Sequence, residues 1–208
     1  MLKGIENIIL DLGGIIINLN QELTQKAFKQ LFNSSFDEVL AQAKLENVFE
    51  KYETGEYSTS QFLGFFKNYK QELTNHELQT AWNKMLLDIP SQRIELIKRL
   101  AKQYNVYLLS NTNEIHYNFI EEYYQHEFTS GTFQSLFIKA YLSYQIGLRK
   151  PNLEIFEFVL NDDKLNPEKT LFIDDSIEHI NAALKLGIKA QHLNLDKHET
   201  LTNIFNEH

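Results

Sequence analysis

Asp11, Ser110, Lys150, Asp174 and Asp175 are the residues whose types and settings could do chemistry together. Asp11 closes an apolar run over residues 8–10. Gly13 and Gly14 follow it, permitting a tight turn and close approach of a ligand to the backbone. Ser110-Asn111-Thr112 follows a second apolar run over 106–109, and Asp174-Asp175 follows a third over 171–173. Lys150 lies in Gly147-Leu148-Arg149-Lys150-Pro151, where the proline removes an N–H and stiffens the chain. Carboxylates gathered at one edge repel each other unless a cation binds. Hard oxygen ligands, with no Cys and no clear His cluster, favour Mg2+ over zinc. A carboxylate can also be a nucleophile. Its attack on a phosphate is opposed by charge; a cation and Lys150 would relieve that opposition, and Ser110 with nearby N–H groups would hold the phosphoryl oxygens. Each piece has a plainer reading: a turn residue, a turn with a helix cap, a solvated loop, or acidic groups complementing a helix dipole. Their recurrence at successive strand ends makes chance a poor account.

The elements that must position these residues are legible in outline. Short apolar runs read as strands buried on both faces. Strands alternating with helices imply a parallel, doubly wound α/β sheet, and such sheets bind ligands at the C-terminal ends of their strands. Residues 19–89 interrupt the alternation and read as helix throughout. Leu23, Ala27 and Leu31 form one stripe, and Val39 and Ala43 a second. Phe62, Phe66, Tyr69 and Leu73 form a third, and Trp82, Met85, Leu86 and Ile89 a fourth. Breaks at 33–35, 54–58 and 74–75 make four helices, whose aromatic stripes serve as the insert's own core. Beyond Pro90, Ser91 is the expected N-cap of a helix with Ile94, Ile97 and Leu100 inward. Further helices are expected to about His126 and over 152–160, and short strands within 139–143 and 190–193. Ser176 caps a helix with Ile177, Ile180 and Leu184 on one face, stopped by Gly187, and a terminal helix follows Asp196. Residues 127–138 carry no clear pattern. The expected organisation is a core of 1–18 and 90–208 with a helical domain over 19–89.

Composition bounds the function. The 208 residues carry a net charge of −8, which argues against a nucleic-acid partner. The absence of Cys excludes disulfides, thiolate zinc sites and a Cys nucleophile. Glu6 and Asp11 break any signal-peptide core, and no apolar run could span a bilayer. The expectation is a soluble cytoplasmic protein without a membrane partner, monomeric or homodimeric.

The motifs ILDLGG with Asp11, LLSNT with Ser110, RKP with Lys150 and FIDD with Asp174 and Asp175 together resemble the haloacid dehalogenase superfamily of phosphohydrolases. DLGGIIINLN, LLSNTN and the later LGI look closest to its alpha-D-glucose-1-phosphate phosphatase-like branch. The resemblance implies a Rossmann-like core of strand order 3-2-1-4-5 with a helical cap inserted after the first strand. It implies Asp11 as nucleophile, forming an aspartyl-phosphate, and as a Mg2+ ligand together with the backbone carbonyl of Gly13. Ser110 and the Asn111 N–H would bind phosphate, and Lys150 would bridge Asp11 and the phosphate. Asp175 would hold Mg2+ directly, with Asp174 beside it or acting through water. The substrate would be a small phosphorylated molecule, a sugar phosphate, chosen in part by the cap turn Glu53-Thr54-Gly55-Glu56.

Two departures from the family pattern bear on activity. Gly13 stands where most phosphatases of the family carry an acid–base Asp, a group worth about 10²–10⁴-fold. His179 stands where relatives of this branch often carry Asn, and a helix-surface His reads most simply as solvated. Glu53, His116 and Glu114 are candidates for the missing base. A site without the acid should favour leaving groups that need little protonation, hence sugar 1-phosphates over 6-phosphates. Two other readings stand beside the phosphatase. One is a phosphate-binding or regulatory protein that has lost turnover with Gly13. The other is a carbon–halogen hydrolase, a type that needs no Mg2+ and is disfavoured by Asp174-Asp175.

Overall fold

A computed structural model describes residues 3–128 and 131–206. Five strands, β1 (Asn7–Leu10), β2 (Asn105–Ser110), β3 (Lys139–Leu142), β4 (Thr170–Asp174) and β5 (Lys189–His192), pair in parallel in the order β3-β2-β1-β4-β5. Leu10 of the central strand lies opposite Leu108 on one side and Ile173 on the other. That register brings Asp11, Ser110 and Asp174 to one edge. The chain builds outward from β1 to β3, then crosses back to β4, so Asp11 and Asp174 flank the place where the winding reverses. Open α/β sheets bind ligands there.

Between β1 and β2 the chain forms α1 (Gln21–Phe32), α2 (Phe36–Leu45), α3 (Val48–Glu53), α4 (Thr59–Lys67), α5 (Asn75–Asn83) and α6 (Ser91–Leu100). The stretch over 19–89 therefore holds five α-helices where the stripes suggest four. The extra break is Asn47, at φ 54°, a left-handed conformation that a short polar side chain tolerates. Reciprocal capping boxes, Ser58 with Gln61 and Thr74 with Glu77, start α4 and α5. The two connections into this helical stretch run side by side. Asn18 N–H donates to Asp88 O at 3.0 Å, and Asn20 N–H to Met85 O at 2.9 Å. Phe28, Phe62, Phe66 and Leu78 share one apolar cluster, to which Ile115 adds a side chain from outside the stretch.

The rest of the chain adds α7 (Glu114–Glu127), α8 (Ser143–Ile146), α9 (Leu153–Asp162), α10 (Ile177–Lys185) and α11 (Leu201–Asn206). Strand periodicity splits the sheet's side chains between two faces. Ile8, Leu10, Leu108 and Ile173 pack with α6, α7 and α11. Ile9, Tyr107, Leu109 and Phe172 pack with α9 and α10. Three local expectations need correction. α5 ends at Asn83, so the stripe expected over Trp82, Met85, Leu86 and Ile89 runs out of helix, and Leu86 and Ile89 pack with the sheet's apolar core. Ser91 is the first helical residue, and Pro90, at φ −60°, is the cap, with no side-chain bond. In α10 the buried residues are Ile180, Ala182 and Ala183, while Ile177 and Leu184 are about half exposed. The small alanines let that helix lie close on the sheet, which turns the two larger side chains outward. Residues 133–136 form a short 3-10 turn; Thr129 and Ser130, in the stretch without pattern, lie outside the described residues. Among the described residues, no helix is long and apolar enough to cross a membrane.

Candidate active site

Asp11 is the first residue past β1, and its N–H still donates to Ile173 O, which fixes it beside β4. Its carboxylate is buried against Lys150, itself wholly buried. The Lys150 ammonium donates to Asp11 Oδ1 at 2.6 Å, to Asp174 Oδ2 at 2.7 Å and to Leu109 O at 2.8 Å. An ammonium has three protons to give, and these acceptors take all of them. The backbone of Lys150 is clipped by Asn111, whose Nδ2 donates to Lys150 O at 2.8 Å and whose Oδ1 accepts from Lys150 N–H at 2.9 Å. Ser143 Oγ ties the same loops together by accepting from Thr112 N–H and donating to Thr112 O, both at 3.0 Å.

Asp174, wholly buried at the end of β4, also takes the Ser176 N–H at 2.8 Å, and His179 Nδ1 lies 2.9 Å from both of its oxygens. The reading of His179 as a solvated helix residue is corrected here. Ser176 caps α10, which places residue 179 in the first turn over the carboxylate. Asp175 is half-buried, and Asp11, Asp174 and Asp175 each present an oxygen within 4.8 Å of the others. Gly14 closes this group at φ 72°; a Cβ there would lie 2.9 Å from Asp175 Oδ2. Gly13 needs no left-handed backbone, and a Cβ there would meet only the tip of Leu19, at 2.6 Å.

One ammonium faces three carboxylates. Burial pushes Asp11 up to about 6, and the pull of Lys150 is offset by repulsion from Asp174 and Asp175. Burial also acts upward on Asp174, but Lys150 and His179 outweigh it and hold that group at about 2. Burial and the Asp174 charge push Asp175 up. For Lys150 burial acts downward, and the two carboxylates it touches reverse the effect. The excess negative charge, the all-oxygen donor set and the cradle that only Gly14 leaves open fit a hard divalent cation.

A cavity of about 400 Å3 opens from this edge. Its floor is Leu12, Gly13 and Ser110 to Thr112; its walls come from α1, α2 and α3 and from Trp82. Of the candidate bases, Glu53 lines the cavity. Its carboxylate is raised by burial and pairs with Arg149 Nη2 at 3.3 Å. Arg149 also reaches Glu50 at 3.3 Å, so the loop carrying Lys150 is tied to α3. The turn expected to choose substrate lies against α8, because a Cβ on Gly55 would stand 2.2 Å from Tyr144 O. Glu114 faces elsewhere: it accepts from Thr59 Oγ1 and lines a separate small cavity. His116 is buried beneath Trp82, rings 4.9 Å apart, with Nε2 3.1 Å from Trp82 O and Nδ1 3.2 Å from Asn113 Nδ2. Both nitrogens are thus engaged in a neutral ring, which leaves no lone pair for a base.

Burial pulls His116 down to about 4. The unfolded chain, near 6.5, therefore takes a proton first as pH falls. The stability that neutral His116 allows is full above 6.5 and lost on descent through about 4, by about 3 kcal/mol in all. In His116→Asn, urea midpoints measured from pH 7 to 4 should fall less steeply than in the parent protein. Parallel profiles would contradict the buried, neutral assignment.

Comparison with known proteins places this geometry among relatives. Residues 8–192 match a family model described as haloacid dehalogenase-like hydrolase. The chain is 34% identical to D-ribitol-5-phosphate phosphatase from Bacteroides thetaiotaomicron, over 89% of this chain and 90% of the relative. The crystal structure of a family enzyme from the same organism, in complex with magnesium and inorganic phosphate, superposes with a TM-score of 0.83 at 33% identity, over 91% of this chain and 94% of that one. The structure of a predicted haloacid dehalogenase-like family hydrolase from Porphyromonas gingivalis gives a TM-score of 0.81 at 32% identity, over 90% of each chain.

Proposed function

The chain belongs to the haloacid dehalogenase-like hydrolase family, and from that premise we propose that it is a Mg2+-dependent phosphatase of small-molecule phosphomonoesters, working through an aspartyl-phosphate on Asp11. The observation that carries the reading is the convergence of Asp11, Asp174 and Asp175 around a wholly buried Lys150. Asp11, the Gly13 carbonyl, Asp175 and Asp174 (the last directly or through water) are the groups to hold the metal. When bound, it supplies positive charge against the attacking carboxylate and the phosphoryl oxygens.

Lys150 holds Asp11 through Oδ1 and fixes the orientation of its carboxylate. In the first step a carboxylate oxygen attacks phosphorus, the ester P–O bond breaks, and the leaving oxygen departs with the bond's electron pair and takes its proton from solvent water. Ser110 and the Asn111 N–H are the groups to hold the phosphoryl oxygens; Lys150, its three protons taken by Asp11, Asp174 and Leu109 O, acts on them through its charge rather than by the bridge that the family pattern implies. In the second step water attacks phosphorus and gives up a proton to solvent, and the P–O bond to Asp11 breaks, releasing phosphate and restoring the carboxylate. Residues 19–89 act as a cap over a core of 1–18 and 90–208, and Glu53 is the polar group that the cap brings to the cavity.

A phosphorylated sugar or polyol is the substrate class supported by the relative that acts on D-ribitol 5-phosphate. Gly13 leaves the departing oxygen without the family's usual acid, which favours esters of more acidic alcohols, such as sugar 1-phosphates. The test is phosphate release from matched sugar 1- and 6-phosphates and ribitol 5-phosphate, with Mg2+ and with EDTA. Turnover should fall by about 10²-fold or more in EDTA, since the metal is worth several kcal/mol of charge stabilisation. Gly13→Asp, whose Cβ meets only the side chain of Leu19, should narrow the 1-phosphate preference by about 10-fold or more. A stoichiometric burst without turnover would instead favour the reading in which Gly13 has stalled the second step. Phosphate binding with neither burst nor release would favour a binding protein.

A further inference from the structure

The cavity over the catalytic edge is walled by rings. Phe49 stacks on Trp82 at 5.6 Å, and Phe28 meets Trp82 at 6.1 Å and Phe66 at 5.0 Å. Val39 and Leu40 continue that wall along α2. Away from the Ser110 and Thr112 hydroxyls of the floor, the polar groups of the interior are already committed, Glu53 to Arg149 among them. Thr24 Oγ1 donates to Trp82 O and accepts from Met85 N–H; Asn113 and His116 hold each other; Asn111 holds Lys150. Gln21, Gln25 and Lys44 line the cavity from exposed positions, so, apart from the Ser110 and Thr112 hydroxyls beside the phosphate end, the polar groups not committed in this way stand at its rim. A buried hydroxyl needs a hydrogen-bond partner, whereas a methylene only needs contact with apolar walls.

We propose that, besides phosphorylated polyols, this cavity takes monophosphates of linear apolar alcohols, with the phosphate at Asp11 and the chain running between α1, α2 and Trp82. The proposal rests on the phosphatase reading above. The volume of about 400 Å3 suits a chain of several carbons. Each methylene that moves from water onto these walls should raise affinity about threefold to fourfold.

The experiment is a homologous series from ethyl to octyl phosphate, read as kcat/KM with Mg2+. Alongside it, binding of the matching alkylphosphonates, whose C–P bond is not cleaved, is measured by calorimetry on the Mg2+-loaded protein. Both should climb about threefold to fourfold per methylene until the cavity is full. Leu40→Gln, at a half-buried position on α2, should lower the octyl-to-ethyl ratio about 10-fold. Flat or falling series in both measurements would overturn the proposal. Turnover with a flat series overturns it and leaves the phosphatase reading standing. Rising phosphonate affinity without turnover supports the cavity assignment and removes the phosphatase reading.

Discussion

Asp11→Asn should abolish steady-state phosphate release, by about 10⁴-fold or more, while leaving a folded protein. The substitution keeps shape and an oxygen acceptor for Lys150 but removes the nucleophile, and no covalent phosphoryl intermediate can form without it. The loss should lie in kcat, because phosphate-binding groups on Ser110 and Asn111 remain. Stability should move the other way. Asp11 is pushed up to about 6 by burial and by its acidic neighbours, against the pull of Lys150. A folded-state value above the unfolded one means that stability is full below about 4 and lost as pH rises through about 6. At pH 7 the metal-free protein therefore carries a destabilising charge, and the Asn variant does not. Urea midpoints in EDTA should place the variant about 1–3 kcal/mol above the parent protein. Retained turnover would remove Asp11 from the chemistry. A variant less stable than the parent in EDTA would overturn the account of charge crowding.

Lys150→Met should cost about 3–5 kcal/mol of stability as well as activity. The parent side chain is wholly buried and satisfies two carboxylates and the Leu109 carbonyl. Removing one partner of a buried ion pair leaves the other charge uncompensated in low dielectric. Here Asp11 loses its ion-pair partner and Asp174 keeps only His179 and the Ser176 N–H, with Asp175 close by. A bound divalent cation would supply the missing charge, so Mg2+ should raise the urea midpoint of Lys150→Met more than that of the parent protein. Lys150→Arg should fail to rescue, because a planar guanidinium fork cannot send three bonds to these converging acceptors in a closed space. A methionine variant as stable as the parent, with or without Mg2+, would show that the lysine is dispensable to the fold.

Much of this protein is written locally. Ile8 to Leu10, Val106 to Leu109 and Leu171 to Ile173 announce buried strands because both faces of a parallel sheet are covered, and the polar residues after them mark the edge where ligands bind. The breaks at 54–58 and 74–75 and the aromatic stripes announce the inserted helices, because helical period and turn chemistry depend on near neighbours. Local reading fails where a competing neighbour intervenes. Asn47 splits one expected helix into two, Pro90 displaces Ser91 from the cap, and close packing on β4 and β5 rotates Ile177 and Leu184 outward.

The site's wiring belongs to the other class. Asp11 and Lys150 are 139 residues apart, and only the register of β1 between β2 and β4 makes them partners. The same register selects Leu109 O as the third acceptor of Lys150. Local sequence also could not separate three possible bases. Tertiary packing seals His116 under Trp82, turns Glu114 to Thr59 and leaves Glu53 at the cavity beside Arg149. Residue type set which groups could ionise, coordinate or attack, since that is a property of each side chain. Burial and proximity set which of them are charged and what they face, since both depend on atoms that distant parts of the chain supply.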